Sequence, residues 1–154
     1  MPAEARHFEL LRSLVAAGVR FVTVGSAGLL LAHPEARARY ELPDVDVLLE
    51  RPELPKLVEL VHRRGGSVTV WGEPWRDDLP LEGRFYARAV VDGLQLDATY
   101  EEPDFDLATL IREARWLEGI PVCADAPLWA MKLRKDEAAA RAWAARVGLT
   151  PTSS

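Results

Sequence analysis

The segments Val24-Gly25-Ser26-Ala27 and Pro43-Asp44-Val45-Asp46-Val47 decide how this chain is read. Arg20 to Val24 has the pattern of a short strand, and Gly25-Ser26 turns it into an apolar helix that reaches Leu31. A strand that enters a helix through small residues points backbone N–H groups at any anion lying at the turn. Val45 to Leu49 reads as the next strand. Side chains alternate along a strand, so Asp44 and Asp46 share one face, about 6–7 Å apart, while Val45 and Val47 point into the core. Two carboxylates that close repel each other unless a divalent cation lies between or beside them.

A third carboxylate follows the same logic. Arg84 to Val91 and Leu94 to Tyr100 flank Asp92-Gly93, a strong hairpin turn. In the second of these strands Asp97 shares a face with Gln95 and Thr99, opposite Leu96 and Ala98. A charge in the middle of a strand needs water or a partner. If this strand lies beside the one carrying Asp44 and Asp46, three carboxylates converge. An all-oxygen set without clustered cysteine or histidine favours Mg²⁺ or Mn²⁺ over zinc. Taken singly, each feature has an ordinary explanation: Asp44 completes a Pro-Asp turn, Asp46 faces solvent on an edge strand, Gly25 only makes a tight turn. Their joint appearance in this order favours a metal site.

The remaining chain reads as alternating helices and strands. Phe8, Leu11, Leu14 and Val15 recur at helical spacing over residues 4–17, with Gly18 as a C-cap. A polar loop spans 33–43. A helix over 53–64 opens near Pro52 and ends at Gly65-Gly66, and a strand covers 67–70. Residues 73–82 are read as a loop, 106–116 as a helix and 117–127 as a connector. A final helix over 128–147 is expected, with Asp125 as its cap. The order predicts one domain over 1–154, a small α/β (α+β) fold with a mixed sheet, helices packed mainly on one face, and 128–147 as a C-terminal packed helix.

Composition agrees with a folded domain. Of 154 residues, 49% are hydrophobic, which excludes a disordered chain. The formal net charge of -5 supplies no general attraction to nucleic acid or an anionic membrane. Cys123 is the only cysteine, so an intramolecular disulfide and a cysteine-rich metal site are both excluded. No stretch has the length of a membrane span or signal peptide, and a cytoplasmic location is expected.

With these residues in hand, the chain resembles the minimal nucleotidyltransferase superfamily, the polymerase-beta-like fold. The family pattern is a Gly-Gly or Gly-Ser turn opening a helix, an Asp-x-Asp pair on the next strand and a further Asp on a later strand. Gly25-Ser26, Asp44 and Asp46, and Asp97 match it, over about residues 8–100. The stretch 128–133, with Met131-Lys132, resembles the helix that follows the core in many small members. The resemblance implies that Gly25, Ser26 and Lys132 contact the phosphates of ATP or another NTP. It implies that Asp44, Asp46 and Asp97 bind Mg²⁺ (or Mn²⁺) and carry the chemistry, with Asp97 also helping to activate an acceptor hydroxyl. Attack on the α-phosphorus would release pyrophosphate. The acceptor would be a small molecule, a protein or an RNA end, and a homodimer or a protein partner could complete its pocket. A catalytically inactive relative that only binds is the alternative. The chain departs from compact members in the long interval 27–43 and in Glu41-Leu42-Pro43, where many members are basic or carry threonine. Arg37 and Arg39 are placed to take the basic role.

Other candidates weigh less. Gly25-Ser26-Ala27-Gly28 lacks the G-x-G-x-x-G order of a dinucleotide site, and no Walker lysine follows it. His7, His33 and His62 are scattered; His33 reads as local capping rather than as a substrate contact. Cys123 reads as buried and inert. Trp75, beside Arg76, Asp77 and Asp78, is either packed or exposed to stack on a base or acceptor ring. Arg134, Lys135 and Arg141 read first as a solvated helix face.

Overall fold

The computed structural model describes residues 3–152. Its sheet-forming and helical elements follow in the order α1 (Ala3–Ala16), β1 (Val22–Val24), α2 (Gly25–Ala32), β2 (Val45–Leu48), α3 (Leu54–Arg63), β3 (Ser67–Val70), β4 (Glu73–Pro74), β5 (Tyr86–Val91), β6 (Leu94–Thr99), α4 (Leu107–Arg112), β7 (Arg115–Leu117), β8 (Ile120–Val122), α5 (Asp125–Lys135) and α6 (Glu137–Val147). The eight strands form one mixed sheet in the order β4-β3-β5-β6-β2-β1-β8-β7. The pairs β2–β6 and β1–β8 are parallel and the other contacts are antiparallel. The mixed α/β sheet is the one expected from the sequence; its helices, expected mainly on one face, pack around it.

The covering of the sheet varies along it. Every residue of β1 and β8 is buried, so both faces are covered there. Along β5 and β6 burial alternates: Ala87, Ala89, Val91, Leu94, Leu96 and Ala98 are buried, while the other face is open. The packed face of this half lies under α3, whose Leu54, Leu57, Val58, Leu60 and Val61 make one apolar stripe at helical spacing. The open face carries polar side chains, among them Arg88, Gln95 and Asp97.

Several expectations about elements change, the first being that β4 occupies the start of the loop expected over 73–82. The helix expected over 106–116 stops at Arg112, and Arg115 and Trp116 belong to β7. The connector expected over 117–127 contains a hairpin, turning at Glu118-Gly119 with both φ positive (52° and 77°). Glu-Gly is a weaker turn signal than Asn-Gly or Asp-Gly, and Pro121 argues against a strand. The single helix expected over 128–147 is two helices. Asp136 leaves helical geometry and its side chain accepts from the Ala139 N–H, capping α6. The break rotates the apolar phase: Ala138 is exposed, while Ala140, Trp143, Ala144 and Val147 are buried. Asp125 is the first residue of α5 rather than its cap, which is Ala124. A 3₁₀ segment, Pro34–Arg39, occupies much of the loop expected at 33–43. Among the described residues no helix is long and apolar enough to cross a membrane.

Candidate functional site

Parallel pairing of β2 with β6 puts Asp46 directly beside Asp97, and two residues earlier Asp44 comes within reach of Gln95. On the other side of β2, antiparallel β1 sets Val24 opposite Asp46, so Gly25 leaves the sheet at the Asp46 carboxylate. Gly25 has φ +66°, a conformation that favours glycine. A Cβ at Gly25 would lie 2.8 Å from Asp46 Oδ2. The turn and the acid thus approach as closely as the missing side chain permits. Gln95 Nε2 donates to Asp97 Oδ2 at 3.4 Å and to Asp44 Oδ2 at 3.5 Å, weak contacts that lie between the two carboxylates.

The electrostatics record this crowding. Burial, then the neighbouring charges of Asp44 and Asp97, push the Asp46 carboxyl up to about 7. Burial and the Asp97 charge also raise Asp44 above the usual carboxylate range, partly offset by Lys135 and Arg88. Asp97 has a direct counter-charge. Arg88, its cross-strand partner, donates from Nε to Oδ1 at 2.9 Å and from Nη2 to Oδ2 at 3.3 Å. Among the described residues no group of three or more His, Cys, Asp or Glu side chains is arranged to hold a metal ion. The three acids share one face and one electrostatic field without being grouped around one point, and Asp97 is engaged by an arginine.

The cationic side comes from α5. Lys132 Nζ donates to Ser26 Oγ at 2.9 Å and sits 4.2 Å from the centre of the Trp143 ring. A hydroxyl below and an aromatic face beside it hold the ammonium in place. Burial lowers the Lys132 pKa, while the Asp46 charge opposes that shift. Gly25, Ser26, Asp46 and Lys132 are thereby linked through direct approach or a shared field.

Three contributors were not anticipated. Arg88 was legible: a two-residue turn at Asp92-Gly93 pairs Val91 with Leu94, and counting outward pairs Arg88 with Asp97. Lys135, one turn after Lys132, acts on Asp44 and Asp46. Trp143 had no readable signal, because its approach to Lys132 depends on the break at Asp136. Other residues lie elsewhere or serve the scaffold. His33 Nε2 pairs with Asp125 Oδ2 at 3.0 Å, and Arg115 donates to Asp125 Oδ1 at 2.8 Å, joining the end of α2 to the start of α5. Arg37 pairs with Glu118, and Arg134 with Glu102 and Asp104. Arg141 pairs with Glu137. Trp75 packs against the core. Cys123 is fully buried and burial pushes its thiol up to about 11, as fits an inert side chain.

No family model matches the chain, and no curated protein matches it. Solved structures do. A candidate nucleotidyltransferase of Thermotoga maritima superposes with TM-score 0.61 at 15% identity, over 93% of this chain and 94% of that one. ANT(2″)-Ia, solved with adenylyl-2″-tobramycin, superposes with TM-score 0.51 at 17% identity, over 87% of this chain and 76% of that one. The Megavirus polyadenylate synthase gives TM-score 0.51 at 13% identity, over 85% of this chain but 26% of its own. At such identities the likeness concerns the backbone. In strand order, helix placement and these superpositions, the chain has the polymerase-beta-like fold of the minimal nucleotidyltransferase superfamily.

Proposed function

We propose that this protein is a metal-dependent nucleotidyltransferase, moving a nucleoside monophosphate from ATP or another NTP to a hydroxyl acceptor with release of pyrophosphate. One observation carries the reading. Asp46 lies between the Gly25 turn and Asp97, while the next residue of the turn, Ser26, meets Lys132. Amide dipoles and an ammonium stand on one side, and clustered acids on the other.

In this reading Asp44, Asp46 and Asp97 would hold Mg²⁺ or Mn²⁺. The donors suit a hard cation by type, with oxygen ligands and a carboxyl pushed to about 7 by burial beside two other acids. The described acids are not grouped around one point, so binding would draw the carboxylates together and release Asp97 from Arg88. When bound, the cation would supply charge neutralisation at the triphosphate and at the acceptor oxygen. The chain's own groups do the remaining work. The N–H groups opening α2 orient the phosphates, and Lys132 adds positive charge beside Ser26. Asp97 aligns the acceptor hydroxyl and takes up its proton. The acceptor oxygen bonds to the α-phosphorus as the bond to the β-phosphate bridging oxygen breaks. The electron pair leaves with pyrophosphate.

Incubation with α-labelled NTPs, Mg²⁺ and hydroxyl acceptors tests this. Label should pass to acceptor in the native protein and fail in Asp44→Asn and Asp46→Asn that retain their fold. Transfer surviving both changes refutes the assigned roles. A second reading, a relative that binds nucleotide without catalysis, is favoured by the Arg88–Asp97 pair, which occupies the third acid. It predicts NTP binding with no label transfer under any acceptor.

A further inference from the structure

We infer that Trp71, Phe85 and Tyr86 form an acceptor-binding platform, and that the acceptor is a hydroxyl-bearing ring compound whose apolar face stacks there. The inference rests on the nucleotidyltransferase reading of the neighbouring acids. Trp71 and Phe85 meet edge to face with centroids 5.0 Å apart, and Tyr86 completes the cluster at 5.3 Å from Phe85. Trp71 is 50% exposed and Phe85 46%, so ring surface remains open to a ligand. Trp75, the tryptophan that the sequence offered for stacking, is partly buried against the core and lies outside this cluster.

Position ties the cluster to the acids. Tyr86 and Arg88 lie on the open face of β5, and Arg88 is paired with Asp97. One two-residue repeat, about 7 Å, separates the Tyr86 row from the Asp97 row. A ring stacked at Tyr86 and Trp71 would lie one such interval from Asp97, and its hydroxyl would replace Arg88 on that carboxylate. A polyanionic acceptor fits poorly. Arg76, Arg84 and Arg88 already face Glu73, Asp78 and Asp97, and the net charge is -5.

The backbone supplies an independent argument. Trp71-Gly72 is a two-residue turn joining β3 to β4, with φ of 49° and 80°. Such turns favour Asn, Asp or Gly at the first position, because a bulky residue is strained at positive φ. The other two turns of this kind use Asp92 and Glu118 there. A half-exposed tryptophan recovers little of that cost by burial. A local rule broken at the surface, beside acids, is the pattern of a residue kept for contact with a ligand.

The test compares the native protein with Trp71→Asn, a change that removes the ring and relieves the turn. Saturation-transfer NMR would use methyl glucoside and myo-inositol as saturated rings, N-acetyltyrosinamide as an aromatic ring, and glycerol as the acyclic control. At least one ring probe should receive saturation well above glycerol, and which arm responds identifies the source. Trp71→Asn should weaken that binding about tenfold, the scale of one stacking contact, with an unfolding midpoint equal to or above the native one. When the responding ring is the acceptor, KM should rise with kcat little changed. A lowered midpoint, unchanged binding, or no ring signal above glycerol overturns the platform. If label transfer to other acceptors persists in that case, the nucleotidyltransferase reading stands without it. Ring binding with no transfer from any NTP overturns the acceptor assignment together with that reading.

Discussion

Replacing Asp46 with asparagine should stabilise the metal-free protein, and only where the carboxyl is charged. The side chain is buried beside two acids, which moves its pKa from the ordinary 3.8 to about 7. Between those values the folded protein holds a proton that the unfolded chain has released. Raising the pH through that window therefore costs stability, and the full loss is present above about pH 7. The displacement corresponds to roughly 4 kcal/mol at its limit. An asparagine amide in the same place needs partners of its own, which returns about 1–2 kcal/mol. Asp46→Asn should thus gain about 2–3 kcal/mol over the native protein at pH 8 in EDTA. The native-to-variant gap should widen by roughly 2–3 kcal/mol between pH 5 and pH 8. Groups held below their ordinary values, such as Glu102 and Glu118, are common to both proteins and cancel. Urea unfolding at the two pH values measures the gap. Added Mg²⁺ should narrow it at pH 8, because only the native protein gains a ligand. A variant less stable than the native protein at pH 8, or a gap that shrinks as pH rises, refutes the picture of a carboxyl crowded by its neighbours.

Gly25→Ala should destabilise the fold by about 1–2 kcal/mol through its left-handed backbone, and the new methyl should displace the Asp46 carboxylate; chemical denaturation and Mn²⁺ affinity read the two effects. Arg88→Gln removes a cation that competes for Asp97, so Mn²⁺ affinity by electron paramagnetic resonance should rise several-fold; an unchanged affinity would mean that Asp97 plays no part in metal binding. Cys123, with its thiol pushed to about 11, should resist iodoacetamide at pH 8 in the folded protein and react after denaturation, and rapid native labelling would contradict its burial.

The local chemistry of the site was present in the chain as written. Gly25-Ser26 after an apolar run, the alternation of Asp44 and Asp46 with valines, and the Asp92-Gly93 turn are short-range signals. Each depends on φ/ψ preference or on strand periodicity within a few residues. That turn even contained the Arg88–Asp97 pairing, since a hairpin register follows from its loop length. Less legible were elements whose local signals are weak. The hairpin at 115–122 turns on Glu-Gly and carries a proline. The helix break at Asp136 is a cap inside an otherwise helical composition.

Tertiary structure alone decided which distant pieces meet. The parallel pairing that sets Asp46 beside Asp97 joins strands separated by a helix and three other strands, and no turn dictates it. Packing of α5 and α6 brings Lys132 to Ser26 and Trp143 to Lys132. The same long-range packing sets Trp75 partly buried against the core and leaves Trp71 half exposed. Residue order is enough to specify a turn or a face, because those follow from bonds and nearest neighbours. The field felt by one carboxyl is a sum over groups that only the folded chain assembles.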